Sequence, residues 1–78
     1  MIRAEFTIYP FVEGMAPPTY VQAALDAVAA AGLEVELGPL SQTVTGEAAP
    51  VFEAVRAATA AAFAEGARRV VLNIEAVE

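Results

Sequence analysis

The stretch IRAEFTIYP, residues 2–10, alternates apolar and polar side chains and stops at a proline. In an extended chain successive side chains point to opposite faces. Ile2, Ala4, Phe6 and Ile8 therefore share one side, and Arg3, Glu5, Thr7 and Tyr9 share the other. The first set requires a core. The second set faces water, another subunit or a ligand, and the rest of the chain bears on which.

Working outward, PFVEGMAPP (10–18) is too rich in Pro and Gly for regular structure and reads as an irregular loop. TYVQAALDAVAAAG (19–32) spaces Val21, Ala24, Leu25 and Val28 as one helix face. Thr19 and Gln22 have the spacing of a capping box, and Gly32 is placed for a left-handed helix end. LEVELG (33–38) alternates again, with Leu33, Val35 and Leu37 expected inward and Glu34 and Glu36 outward. Gly38-Pro39 punctuates, and the β-branched SQTVTGE (41–47) completes a hairpin. AAPVFEAVRAATAAAFAEG (48–66) reads as a second helix, with Pro50 in its first turn and Gly66 closing it. Its expected buried stripe is Phe52, Val55, Thr59, Ala62 and Phe63. RRVVLNIEAVE (68–78) is the last strand, with Val70, Leu72 and Ile74 expected on the core side.

Strand–helix–strand, twice, predicts an α+β ferredoxin-like βαββαβ sandwich, two helices on one face of a four-stranded antiparallel sheet. The 78 residues are expected to form a single domain, residues 1–78. The other sheet face stays open and collects Glu5, Thr7 and Tyr9 from the first strand, Ser41 and Thr43 from the third, and Asn73 from the last. The first and third strands are central in this topology, so Glu5, Thr7, Thr43 and Asn73 should cluster. Arg3, Arg69, Glu34 and Glu75 fit solvated cross-strand pairing. Glu5 on a central strand is the residue most suited to contact with a polar or cationic ligand, the alternative being a structural ion pair. Tyr9 and Phe11, flanking Pro10, could stack on a flat heterocycle or form a subunit contact.

Composition restricts the chemistry. There is no Cys, no His and no Lys, so thiolate or imidazole catalysis, Schiff-base chemistry and an ordinary zinc site have no residues to use. The formal charge of −6 disfavours nucleic acid and anionic membrane surfaces. No apolar run approaches the roughly 20 residues of a membrane span, and a soluble, cytoplasmic protein is expected. Apolar residues make up 58% of the chain, many of them alanine, so the core should be modest and oligomerisation favoured.

AEFTIYP (4–10), GLEVELGPL (32–40), VTGE (44–47), VFEAVRAA (51–58) and EGARRVVLNIE (65–75) together resemble the YkoF-like thiamine-binding protein family. The resemblance runs over nearly the whole chain, in the same order and spacing. Gln42 and Thr45 depart from it, at positions where such proteins often carry Thr and an acidic residue. It implies non-catalytic binding of thiamine or its hydroxymethylpyrimidine moiety in uptake or salvage, and a homotetramer built as a dimer of dimers, with no cofactor. Glu5 would then accept from the exocyclic amine, Thr7, Thr43 or Asn73 would satisfy ring nitrogens, Tyr9 or Phe11 would stack, and Ser41 would also belong to the ligand-binding set. The competing expectation is a structural or regulatory oligomerisation module without a small-molecule ligand. A small enzyme on the same fold is disfavoured by the missing bases.

Overall fold

The computed structural model describes residues 1–10, 17–38 and 41–77. Its elements run β1 (Ile2–Tyr9), α1 (Thr19–Ala30), β2 (Glu36–Leu37), β3 (Gln42–Gly46), α2 (Ala48–Ala64) and β4 (Arg69–Ala76). The strands form one antiparallel sheet in the order β2-β3-β1-β4. This is the ferredoxin-like arrangement that the element order predicts. α2 packs on α1, β1 and β3. The core lies between the sheet and the helices, with Ala4, Phe6 and Ile8 of β1 and Val44 of β3 meeting Ala24, Val28, Val51, Ala54, Val55, Ala58 and Ala62.

Two glycines let the helices turn into strands. Gly32 and Gly66 have φ of +82° and +103°, where a Cβ is strained. The start of α1 differs from the sequence reading. Pro18 occupies the N-cap, no side chain caps the helix, and Gln22 Nε2 donates instead to Asp26 Oδ1 at 2.8 Å. With Pro18 at the N-cap, Thr19 is the first helical residue, and a side-chain cap comes from the non-helical residue before it.

Several residues expected inside are outside. Leu37 is 68% exposed, Leu72 37%, Ile74 42%, Phe52 48% and Phe63 51%. Leu72 and Ile74 do share a sheet face with the core, because they pair with Phe6 and Ala4. They are uncovered because β4 is an edge strand and α2 sits over β1 and β3. Leu37 is uncovered at the opposite edge, on a strand only two residues long, while Leu33 and Val35 pack partly against the core. On α2, the residues buried are Val51, Ala54, Val55, Ala58 and Ala62, so the stripe is centred about a third of a turn away from Phe52 and Phe63. Thr59 stays half-buried, its hydroxyl donating to the Val55 carbonyl at 2.9 Å.

Phe6 is the largest fully buried side chain among the described residues. Phe6→Ala is expected to cost about 3–5 kcal/mol, read as a shift in the urea midpoint with unchanged slope. On the surface of α2, Arg56 bonds Glu53 (Nε to both carboxylate oxygens at 3.1 Å). That hydrogen bond first, and the guanidinium charge second, hold the Glu53 carboxyl below its ordinary value. Its small stabilisation is present above the ordinary glutamate range and is lost as pH falls through the depressed value. Carboxyl NMR titration should show Glu53 titrating low, and Arg56→Ala should return it to the ordinary range.

Candidate functional site

The open sheet face is built by register. Glu36 pairs with Thr43, Thr43 with Glu5, and Glu5 with Asn73. One polar residue from each strand therefore stands in a single row across the sheet, spanning about three interstrand spacings of ~4.8 Å. Ser41 Oγ donates to Glu5 Oε2 at 3.3 Å from the adjoining row. On the other side of the row, Thr45, Arg3 and Glu75 line up across β3, β1 and β4.

These rows floor a shallow recess of about 890 Å³, whose lining includes Arg3, Glu5, Glu36, Ser41, Thr43 and Asn73. That volume lies within the roughly 300–1,000 Å³ of small-molecule sites. The lining also includes Glu75, so one cation stands against three carboxylates, a balance of −2. The cation is engaged. Arg3 Nε donates to Glu75 Oε1 at 3.0 Å and its Nη2 bonds the same oxygen. The hydrogen bond first, and then the Glu75 charge, raise the Arg3 value above its usual one. Glu36 has no side-chain partner among the described residues, and Glu5 has only the Ser41 hydroxyl. The recess can thus accept hydrogen bonds and hold positive charge.

Of the residues singled out in the sequence, Glu5, Ser41, Thr43 and Asn73 come together here. Thr7 shares the face but stands opposite Val71, beyond the recess lining. Tyr9 lies one row further, opposite Arg69, whose guanidinium carbon sits 5.3 Å from the ring centroid. Its π-face is therefore engaged within the chain, outside the recess. Phe11 lies outside the described residues. Alternation puts Glu36 on this face, and only the β2–β3 register sets it beside Thr43 and so into the site. Arg3 and Glu75, read as a solvated pair, form that pair at the recess wall. Gln42 faces the other way, opposite Phe6, and its buried Oε1 has no hydrogen-bond partner among the described residues.

The family described as "Thiamine-binding protein" matches residues 4–78. No curated protein matches the chain. Solved structures share the fold. A domain of unknown function from Bacillus cereus is 24% identical with a TM-score of 0.69, covering 95% of this chain and 71% of that one. A hypothetical protein from Methanocaldococcus jannascii is 23% identical with a TM-score of 0.70, covering 99% and 78%. A Thermotoga maritima protein, provisionally described as acting in thiamine biosynthesis/salvage, is 23% identical with a TM-score of 0.65, covering 95% and 78%.

The Tyr9–Arg69 stack gives a separable expectation. Tyr9→Leu should lower stability by about 0.5–1 kcal/mol in urea unfolding, and Tyr9→Phe should restore most of it, because the ring face and not the hydroxyl is used.

Proposed function

The chain belongs to the thiamine-binding protein family, and from that premise we propose that it binds thiamine, or its hydroxymethylpyrimidine moiety, without catalysis. The observation that carries the reading is the row Glu36–Thr43–Glu5–Asn73 across the floor of the recess. An aminopyrimidine is flat, with an exocyclic amine that donates and ring nitrogens that accept. Glu5 accepts from the amine, while the Thr43 and Ser41 hydroxyls and the Asn73 amide donate to the ring nitrogens. Glu36, beside Thr43, faces the cationic thiazolium. Arg3, held by Glu75, is the one cation of the lining and is not free for a phosphate.

The aromatic stack expected from Tyr9 moves out of this reading, since that ring carries Arg69. Closure of the recess is assigned to a neighbouring subunit, in keeping with a dimer of dimers, and the setting is cytoplasmic uptake or salvage. The exposed Leu72, Ile74 and Phe63 also suit an assembly module, and the two readings coexist if assembly encloses the recess.

Calorimetric titration with thiamine, free hydroxymethylpyrimidine and thiamine diphosphate tests the proposal. Thiamine is expected to bind, and the diphosphate at least about tenfold more weakly, a difference near 1.4 kcal/mol. No heat with any of the three would remove it. Glu5→Ala is expected to abolish thiamine binding while leaving the assembly mass unchanged, whereas a pure assembly module would lose mass and show no ligand in either form.

A further inference from the structure

Resting on the binding proposed above, we infer that Glu75 decides which class of ligand the recess takes. By holding Arg3 at the wall, it leaves Glu5 and Glu36 to a cation and shuts the lining's one arginine to a phosphate group. Register assigns the role. Arg3 of β1 stands directly opposite Glu75 of β4 and Thr45 of β3, with Glu5 two residues along on the same face. Three carboxylates of the lining compete for its charge: Glu5, Glu36 and Glu75. A direct cross-strand pair sets Cβ atoms about 5 Å apart, closer than the roughly 6.6 Å between alternate residues of one strand. Glu75 is therefore the nearest acceptor.

The contact it makes is the one that a phosphate would use. A guanidinium takes an oxyanion along one edge, through N–H groups that point the same way. In Arg3 the edge formed by Nε and Nη2 is filled by a single atom, Glu75 Oε1, with Nε at 3.0 Å. Glu75 thus stands where a phosphate oxygen would stand. The Arg3 and Glu75 side chains are 47% and 59% exposed, so their pairing adds little to fold stability. Either can be replaced without unfolding the chain.

The charges agree with this division. The Glu75 hydrogen bond first, and then its charge, raise the Arg3 value, and the charges of Glu5 and Glu36 raise it further. All three carboxylates act on one guanidinium, and among the described residues Glu75 alone bonds it. Glu5 keeps a single donor, the Ser41 hydroxyl at 3.3 Å, and so can accept from an amine. Neutralising Glu75 takes the lining from −2 (one cation, three carboxylates) to −1 (one cation, two carboxylates). It also releases Arg3, either to Glu5 or to an incoming oxyanion. Both changes favour a phosphorylated ligand and disfavour a cationic one.

Glu75→Gln keeps the shape of the side chain and removes its charge. Calorimetric titration with thiamine, thiamine diphosphate and inorganic pyrophosphate compares it with the unaltered chain, with far-UV circular dichroism as the check on folding. The variant is expected to bind the diphosphate and pyrophosphate at least about tenfold more tightly, near 1.4 kcal/mol, and thiamine about threefold more weakly. Glu36→Gln removes the same charge but leaves Arg3 held, and should gain no more than about threefold for either anion. Adding Arg3→Met to Glu75→Gln should abolish the gain. An equal gain in Glu36→Gln would overturn the inference, because net charge alone would then explain it. So would a gain that survives Arg3→Met, or tighter thiamine binding by Glu75→Gln. Pyrophosphate separates this inference from the binding proposal. If no thiamine compound binds any form, that proposal fails, while pyrophosphate still reports whether Glu75 closes Arg3. No pyrophosphate heat from Glu75→Gln at about 10 mM would defeat the inference by itself.

Discussion

Every feature of this protein depends on two helices covering one side of a four-stranded sheet and stopping short of its edges. Among the described residues, half of the buried apolar ones are alanines: Ala4, Ala24, Ala54, Ala58, Ala62 and Ala67. Small side chains bring packed helices toward the close end of the usual 8–10 Å separation. Of the two, α2 packs on the central strands β1 and β3, and the inward side chains of the outer strands are left partly bare. Leu37 on one edge and Leu72 and Ile74 on the other are the result.

The same constraint creates the candidate site. With both helices on one side, the alternation of β1 commits Arg3, Glu5, Thr7 and Tyr9 to the uncovered side. Pairing on both flanks of β1 then brings Thr43 and Asn73 to Glu5, and β3 carries Glu36 to Thr43. The outcome is a polar floor with surplus carboxylate, suited to a hydrogen-bonding cation and unsuited to a phosphate. Among the described residues, the four strands supply only the floor of this recess.

Charge is used sparingly within this surface. Four arginines serve the whole chain, and two are committed within the fold's open face: Arg3 to Glu75, and Arg69 to the ring of Tyr9. These contacts explain why residues chosen from sequence as possible ligand contacts divide as they do. Glu5, Ser41, Thr43 and Asn73 converge because register places them together. Tyr9 does not join them because Arg69, its direct cross-strand partner, takes the ring face.

From sequence alone, the order of elements, the face that each β1 residue takes and the two glycine-ended helices were legible, because alternation, helical periodicity and positive-φ glycines are local properties. The absence of His, Cys and Lys likewise settled which chemistries had no residues to run them. Tertiary structure decided what local pattern cannot carry: that Phe52 and Phe63 fall outside the buried stripe of α2, that Leu72 faces the helix side yet lies beyond helix cover, and that Glu36 stands in line with Glu5. Those outcomes depend on which strand lies beside which, on register, and on how far a helix reaches. Each is a relation between segments distant in the chain, and only the packed molecule expresses it.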